Sequence, residues 1–468
     1  MGTDHGSCPQ DGRYAVAGCA WRNAGQRAGT SRTPGGGDSS HGPCRSRRNA
    51  DHEDSGDRRR TRDLYDAIWG AWYAVLSAYL ESDLGFTGVQ GGAIYSLFPL
   101  AMIIAPFIGG QLADRYFASE RIIGVLQLAG GGMLLLAART TDYANLMLVM
   151  FVYCLLYAPT LALTNSIAMA NLDNSEKQFG RIRVWGTIGW IAAGLILAAW
   201  RTAALSSPGL EVGGDLLVFA AVVSFIMGIH SFTLPHTPPR AEATSPWAFL
   251  ESLKMLKARN FAIFLVICFV VATELQFYYV LTAPFLVSPR VGISDASVSA
   301  WMTIGQAAEI FVMAFVLSWS LKRLVMRRTL AIGVLAWPIR YVIFSIGGPT
   351  WLLLASLSLH GFCYVFFFVA AFIHVDNVAP PDVRASAQSL IAIVTLGFGS
   401  FVGAHFSGRV QDFFTVGDTT DWTHVFLVPV AITVAAAIAF LLFFKLSLIH
   451  ISEPTRPRLI SYAVFCLK

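Results

Sequence analysis

Arg183, Thr187 and Trp190 stand at i, i+4 and i+7 in RIRVWGTIGW, so a helix places them on one face. A guanidinium, a hydroxyl and an indole on one stripe can hydrogen-bond and stack. That set suits an uncharged polar ligand containing a ring. Gln276 and Tyr279 share a face in TELQFYY, and Glu274 points elsewhere, toward a partner in the protein. Gln306 and Glu309 are again i, i+3. A carboxyl buried at that position must be neutral or paired, which suits a proton carrier or a ligand acceptor. His360 and Tyr364 are i, i+4 in LHGFCYVFFF, with Gly361 between them permitting close helix approach. Each cluster also has a purely structural reading. Arg183 can snorkel to the membrane surface, and Gln276 can bond a neighbouring helix. Glu309 can pair with Arg340, and His360 can be a hydrogen-bonded packing residue.

These side chains are costly because of the elements that carry them. The chain is 55% hydrophobic and only 13% charged, with mean hydropathy +0.56. Its apolar residues cluster into runs of about 20, the length that crosses a bilayer as a helix. Polar residues inside such runs are functional candidates by default. The composition predicts an all-α membrane protein with about twelve spans. They begin near Leu64, Val89, Ile122, Ala144, Val184, Leu216, Phe261, Val298, Leu330, Trp351, Ala385 and Val425. A polar stretch, residues 235–259, divides them into six-helix bundles over 63–234 and 260–445. Within it WAFLESLKMLKAR has helical apolar spacing and is expected along the membrane surface.

Residues 1–62 lack apolar periodicity and read as a disordered or mis-translated tail. Span 1 opens directly after DRRRTRD, and Asp66 within it is read as a junction feature in preference to a membrane-buried acid. Residues 446–468, with LSLIHISEPTR and ISYAVFCL, resemble translated sequencing-adapter DNA and are set aside. Lys and Arg concentrate in the loops after even-numbered spans, including Arg121, Lys177, Arg240, Lys254, Arg323 and Arg328. The positive-inside rule then puts both termini in the cytoplasm. The net charge of +5 therefore belongs to loops and tail, and no nucleic-acid partner is expected. The seven cysteines show no metal-ligand spacing or disulfide framework. No nucleophile–base pair or phosphate loop suggests an enzyme, and no cofactor is expected.

Gly109 to Arg121 reads GGQLADRYFASER between two apolar runs. Gly110 would let a helix end lie close to a neighbour. Asp114 would favour a helix N-terminus, and Arg115 would pair across an interface. With Leu112, Ala113 and Arg121, these positions resemble the signature loop between helices 2 and 3 of the major facilitator superfamily. Phe117 stands where that loop usually has Gly. WGAW (Trp69 to Trp72), GAIYS (Gly92 to Ser96), YAPTLALTNSI (Tyr157 to Ile167), IRVWGTIG (Ile182 to Gly189), TLPH (Thr233 to His236), ELQ (Glu274 to Gln276), RASAQ (Arg384 to Gln388) and GFG (Gly397 to Gly399) narrow the likeness. Together they resemble the bacterial nucleoside:proton symporters of that superfamily.

The resemblance implies a major facilitator fold and proton-driven nucleoside uptake across an inner membrane by a monomer. Its binding residues would fall on Arg183, Thr187, Trp190, Gln276, Gln306, Glu309, His360 and Tyr364, with Tyr279 on the same face as Gln276. Glu309 would be the proton site. Trp190 stands where the family can have Phe, Tyr279 where it can have Asn, and His360 where it can have Tyr. Val365 stands where typical members have Asp. Two alternatives stay open: carriage of another small polar metabolite such as a sugar, or a membrane sensor that moves nothing.

Overall fold

The computed structural model describes residues 61–105, 118–170, 175–207, 213–238, 247, 249–380 and 383–444, with the side chains of 166, 168–170, 175–183 and 249 outside the description. In hydrocarbon a helix satisfies its own backbone polar groups, and the chain folds accordingly. α1 runs over 61–72, opens into a turn at Tyr73, and resumes at Leu76–Ser82. α2 is Gly88–Ala105, α3 Ser119–Ala137, α4 Tyr143–Ala170, α5 Ser175–Leu205 and α6 Asp215–Ser231. α7 is Arg259–Val287, α8 Asp295–Arg323, α9 Val325–Ile346, α10 Thr350–Val378, α11 Arg384–Phe413 and α12 Trp422–Phe443. Ten of these helices are long and apolar enough to cross a membrane; α1 is broken and α6 is shorter. Large apolar side chains such as Leu148, Val266, Phe315 and Trp351 stay exposed, as a lipid-facing surface requires.

The surface helix expected over residues 247–259 is instead two short pieces. Phe249–Ser252 is α-helical and Leu253–Lys257 is a 3-10 turn. The Ser252 hydroxyl donates to the Ser386 carbonyl at 3.1 Å, tying the segment to the start of α11. That anchor holds the pieces at α11, and Leu253 and Leu256 remain exposed.

α2 packs on α11 and α5 on α8, which joins the first six helices to the last six. Both contacts are tight at the end where α1 finishes and α2 begins. Gly88 and Gly92 lie against the backbones of Gly408 and Ala404, where no side chain would fit. The Gly88 and Val89 N–H groups donate to the Asp412 carboxylate at 2.6 and 2.9 Å, so an acid of α11 caps α2. Gln411 Nε2 donates to Glu81 Oε2 at 3.0 Å alongside. On the other contact, the Ser299 hydroxyl donates to the Gly194 carbonyl at 3.0 Å. Arg201 pairs with Asp215 at 2.6 Å and reaches the Asp295 carbonyl at 3.4 Å, binding α5, α6 and α8 together.

Gly408→Leu drives a side chain into the α2 backbone. Overpacking of this kind costs about 1–3 kcal/mol. The purified variant should unfold at a lower temperature than the parent in a thermal-shift assay. An unchanged midpoint would mean that α2 and α11 do not meet there.

Candidate functional site

The expected clusters fall on α5, α7, α8 and α10, and inter-helix contacts bring most of them together. On α5, Thr187 and Trp190 are half-buried one turn apart. The backbone of Arg183 continues the same helix; its side chain lies outside the described residues. The Trp190 ring meets Trp69 of α1 edge-on at 5.4 Å. Trp69 also packs on Phe98 at 4.9 Å and Tyr73 at 5.3 Å.

Tyr73 sits where α1 opens, and it connects the two sets of helices. Its hydroxyl donates to Gln276 Oε1 of α7 at 3.3 Å, and its ring meets Tyr279 at 5.0 Å. Gln276 therefore has the inter-helix hydrogen bond that its structural reading required, and it remains beside the ligand candidate Tyr279. From Tyr279 the rings continue to Tyr278 at 5.3 Å and His360 at 6.0 Å. His360 stacks on Tyr278 at 4.4 Å and on Tyr364 at 5.7 Å. A continuous file of rings thus runs from α5 through α1 and α7 to α10.

α8 reaches this file through two glycines. A Cβ on Gly361 would stand 2.6 Å from the Ala308 carbonyl, so α10 and α8 touch at the backbone beside Glu309. Gly305 likewise faces Tyr278 and His360. This approach brings the turn of α8 that carries Gln306 and Glu309 beside the turn of α10 that carries His360 and Tyr364. Gln306 is buried, with Oε1 unpartnered among the described residues, whereas Glu309 is half-buried. The ion pairs of the described residues do not include one between Glu309 and Arg340. Arg340 of α9 turns its Nη1 to His360 Nδ1 at 3.5 Å and lies over the Tyr278 ring. Glu274 is fully buried, and its carboxyl oxygens have no hydrogen-bond partner among the described residues. The Tyr341 hydroxyl donates to its backbone carbonyl at 2.7 Å.

A wide, π-type turn covers Tyr364–Val369 and changes which side chains face inward. Tyr364 is half-buried beside His360, while Val365 is sealed in a second apolar cluster with Val312, Leu317, Phe366, Val369 and Ile373. Val312 opens a second wide turn, Val312–Val316, in α8.

Gly110, Asp114 and Arg115 lie outside the described residues, and Arg121 is exposed in the first turn of α3. Asp66 is built into the fold: Arg62 Nε lies 3.1 Å from its carboxylate, and Arg62 also donates to Asn165 at 3.2 Å. Four residues of the ring file and its support were not singled out from spacing: Trp69, Tyr73, Tyr278 and, as a partner of His360, Arg340. The signal for Arg340 was a lone arginine in the apolar run GVLAWPIRYVIF.

Half-buried rings and polar side chains, held by helices that cross a membrane and joined across two sets of six, define a membrane transporter of the major facilitator class. Comparison with known proteins narrows the class. A sequence profile of the nucleoside H+ symporter family matches residues 64–448, and the chain belongs to that family. The chain is 35% identical over 392 residues to the putative nucleoside transporter YegT of Escherichia coli K12, covering 81% of this chain and 91% of the relative. It is 30% identical over 418 residues to the nucleoside permease NupG of the same strain, covering 85% and 97%. The crystal structure of NupG superposes with a TM-score of 0.76 at 27% identity, over 84% of this chain and 99% of that one. A bacterial homologue of the lysosomal transporter Spinster shares the fold with a TM-score of 0.66 at 17% identity, over 88% and 97% of the two chains.

Trp190→Ala removes a stacking surface worth roughly 1–3 kcal/mol by the measure of base–aromatic stacking. Equilibrium binding of labelled uridine should weaken by about 5- to 150-fold. Binding unchanged in the Trp190→Ala, Thr187→Ala double variant would place the site elsewhere.

Proposed function

We propose that this protein takes up nucleosides in symport with protons, by alternating access between bundles formed by residues 63–234 and 260–445. Membership of the nucleoside H+ symporter family supports the substrate and the ion. The observation that carries the reading onto residues is the ring file from Trp190 to Tyr364, with Gln276, Gln306 and Glu309 beside it. Trp190, Tyr279 and Tyr364 offer faces for a base. Arg183, Thr187, Gln276, Gln306 and His360 offer hydrogen bonds to base and sugar. The bacterial relatives and the basic loops support an inner-membrane protein with both termini cytoplasmic. The Gly110–Arg121 loop, with Asp114 and Arg115, then lies on the cytoplasmic side and acts on switching between states.

Glu309 is the proton site in this reading. It is half-buried on the same face of α8 as Gln306, so one helical face links ligand contact to protonation. Val365 favours one competing reading, because the carboxylate that typical relatives place there is missing. In that reading the protein is an uncoupled nucleoside facilitator and Glu309 is a ligand or structural acid.

Glu309→Gln should keep measurable uridine binding and lose accumulation against a gradient, leaving downhill exchange. A pH dye inside proteoliposomes separates the two readings. Proton entry on uridine addition to the unmutated protein supports symport, and its absence leaves facilitated diffusion.

A further inference from the structure

Arg340 is fully buried midway along α9 and forms no ion pair among the described residues. Its guanidinium lies over the rings of Tyr278 at 4.3 Å, Trp337 at 4.7 Å and Tyr341 at 5.1 Å. Three ring faces stabilise a cation that has lost its water and fix where it can point. It points at His360: Nη1 stands 3.5 Å from Nδ1 of the imidazole.

An arginine N–H donates and cannot accept. The contact is a hydrogen bond when Nδ1 presents its lone pair, which places the ring proton on Nε2. Nε2 has no hydrogen-bond partner among the described residues, and neither do Gln306 Oε1 and the Tyr278 hydroxyl. Tyr278 and His360 meet at one junction against α8, one residue from Gln306 in the chain. The position a Cβ would take on Gly305 is 2.7 Å from the Tyr278 hydroxyl and 3.5 Å from His360 Cδ2. Cδ2 is bonded to Nε2, so this side of the imidazole lies beside α8, in the turn that carries Gln306. Buried polar atoms are normally paired, and a group of unpaired ones is where a ligand's polar atoms fit.

We propose that Arg340 is a positioning residue that fixes His360 in the Nε2–H tautomer, so that position 360 donates a hydrogen bond to an acceptor oxygen of the nucleoside. The proposal rests on the nucleoside reading above. A free imidazole could accept or donate at this place; one facing a guanidinium donates. The oxygen it takes is a sugar hydroxyl or a base carbonyl.

Nitrogen NMR on the full-length protein carrying isotope-labelled histidine tests the tautomer directly, with the His360→Gln spectrum subtracted to assign the ring. The expected result is a protonated Nε2 and a bare Nδ1 in the unmutated protein. Arg340→Met should give a mixture of tautomers and bind labelled uridine about tenfold or more weakly, the scale of one lost buried hydrogen bond. Arg340→Lys keeps a donor and should restore both. A proton on Nδ1 in the unmutated protein overturns the positioning role, and that measurement needs no Arg340 variant to fold. An unchanged tautomer in folded Arg340→Met overturns it as well. Absence of uridine binding by the unmutated protein overturns the nucleoside reading and the ligand's oxygen with it, whatever the tautomer.

Discussion

A polar atom left unpaired in hydrocarbon costs several kcal/mol, and every such atom in this chain has to be answered for inside the protein. The backbone meets the demand by staying helical. Side chains meet it in two ways. Some are closed off by local bonds, as Arg201 is by Asp215 and Asp412 by the first amides of α2. Others are gathered at one place, where helices α1, α5, α7, α8 and α10 converge. At the candidate site this demand is left partly open, at Gln306, Tyr278 and His360, as it is at Glu274 of α7.

The ring file gives the site its mechanical character. Trp190 and Trp69 belong to the first six helices, and Tyr279, His360 and Tyr364 to the last six. Tyr73 touches both sets through its hydroxyl and its ring. Rings adapt to a neighbour by tilting, so contact can persist while helices shift. In the proposed reading, a ligand held by one set of helices disturbs the other through these contacts. Glycine at the α8–α10 and α2–α11 crossings brings backbones close enough for that disturbance to travel through rigid elements.

Much of this was legible in the sequence because bilayer physics makes polar residues conspicuous. Glu309, Gln306 and His360 stand out in runs that are otherwise apolar, and helical spacing pairs them with their neighbours. What spacing could not give was contact between helices distant in the chain. Trp69 and Tyr73 look like ordinary aromatic residues of a first span until α1 opens at Tyr73 and turns its hydroxyl to Gln276. Arg340 was visible as a buried charge, and Glu309 was its obvious partner by sign. The cage of three rings turned it to His360 instead, a choice fixed by shape. The linker failed as one helix for a similar reason, since the bond from Ser252 to Ser386 holds it to α11.

The sealed position of Val365 bears on how freely this site could change. Val365 is surrounded by Val312, Leu317 and Phe366, and two wide turns, one in α8 and one in α10, meet around it. A carboxylate placed there alone would enter a pocket already shaped for hydrocarbon. An acid at this position, which the family resemblance implies, is therefore not accommodated by a single substitution. The neighbours in α8 would have to change first or together, so the apolar residue and its surroundings hold one another in place. Position 365 is thus entrenched: its side chain is kept by its company as much as by its own fitness for the task.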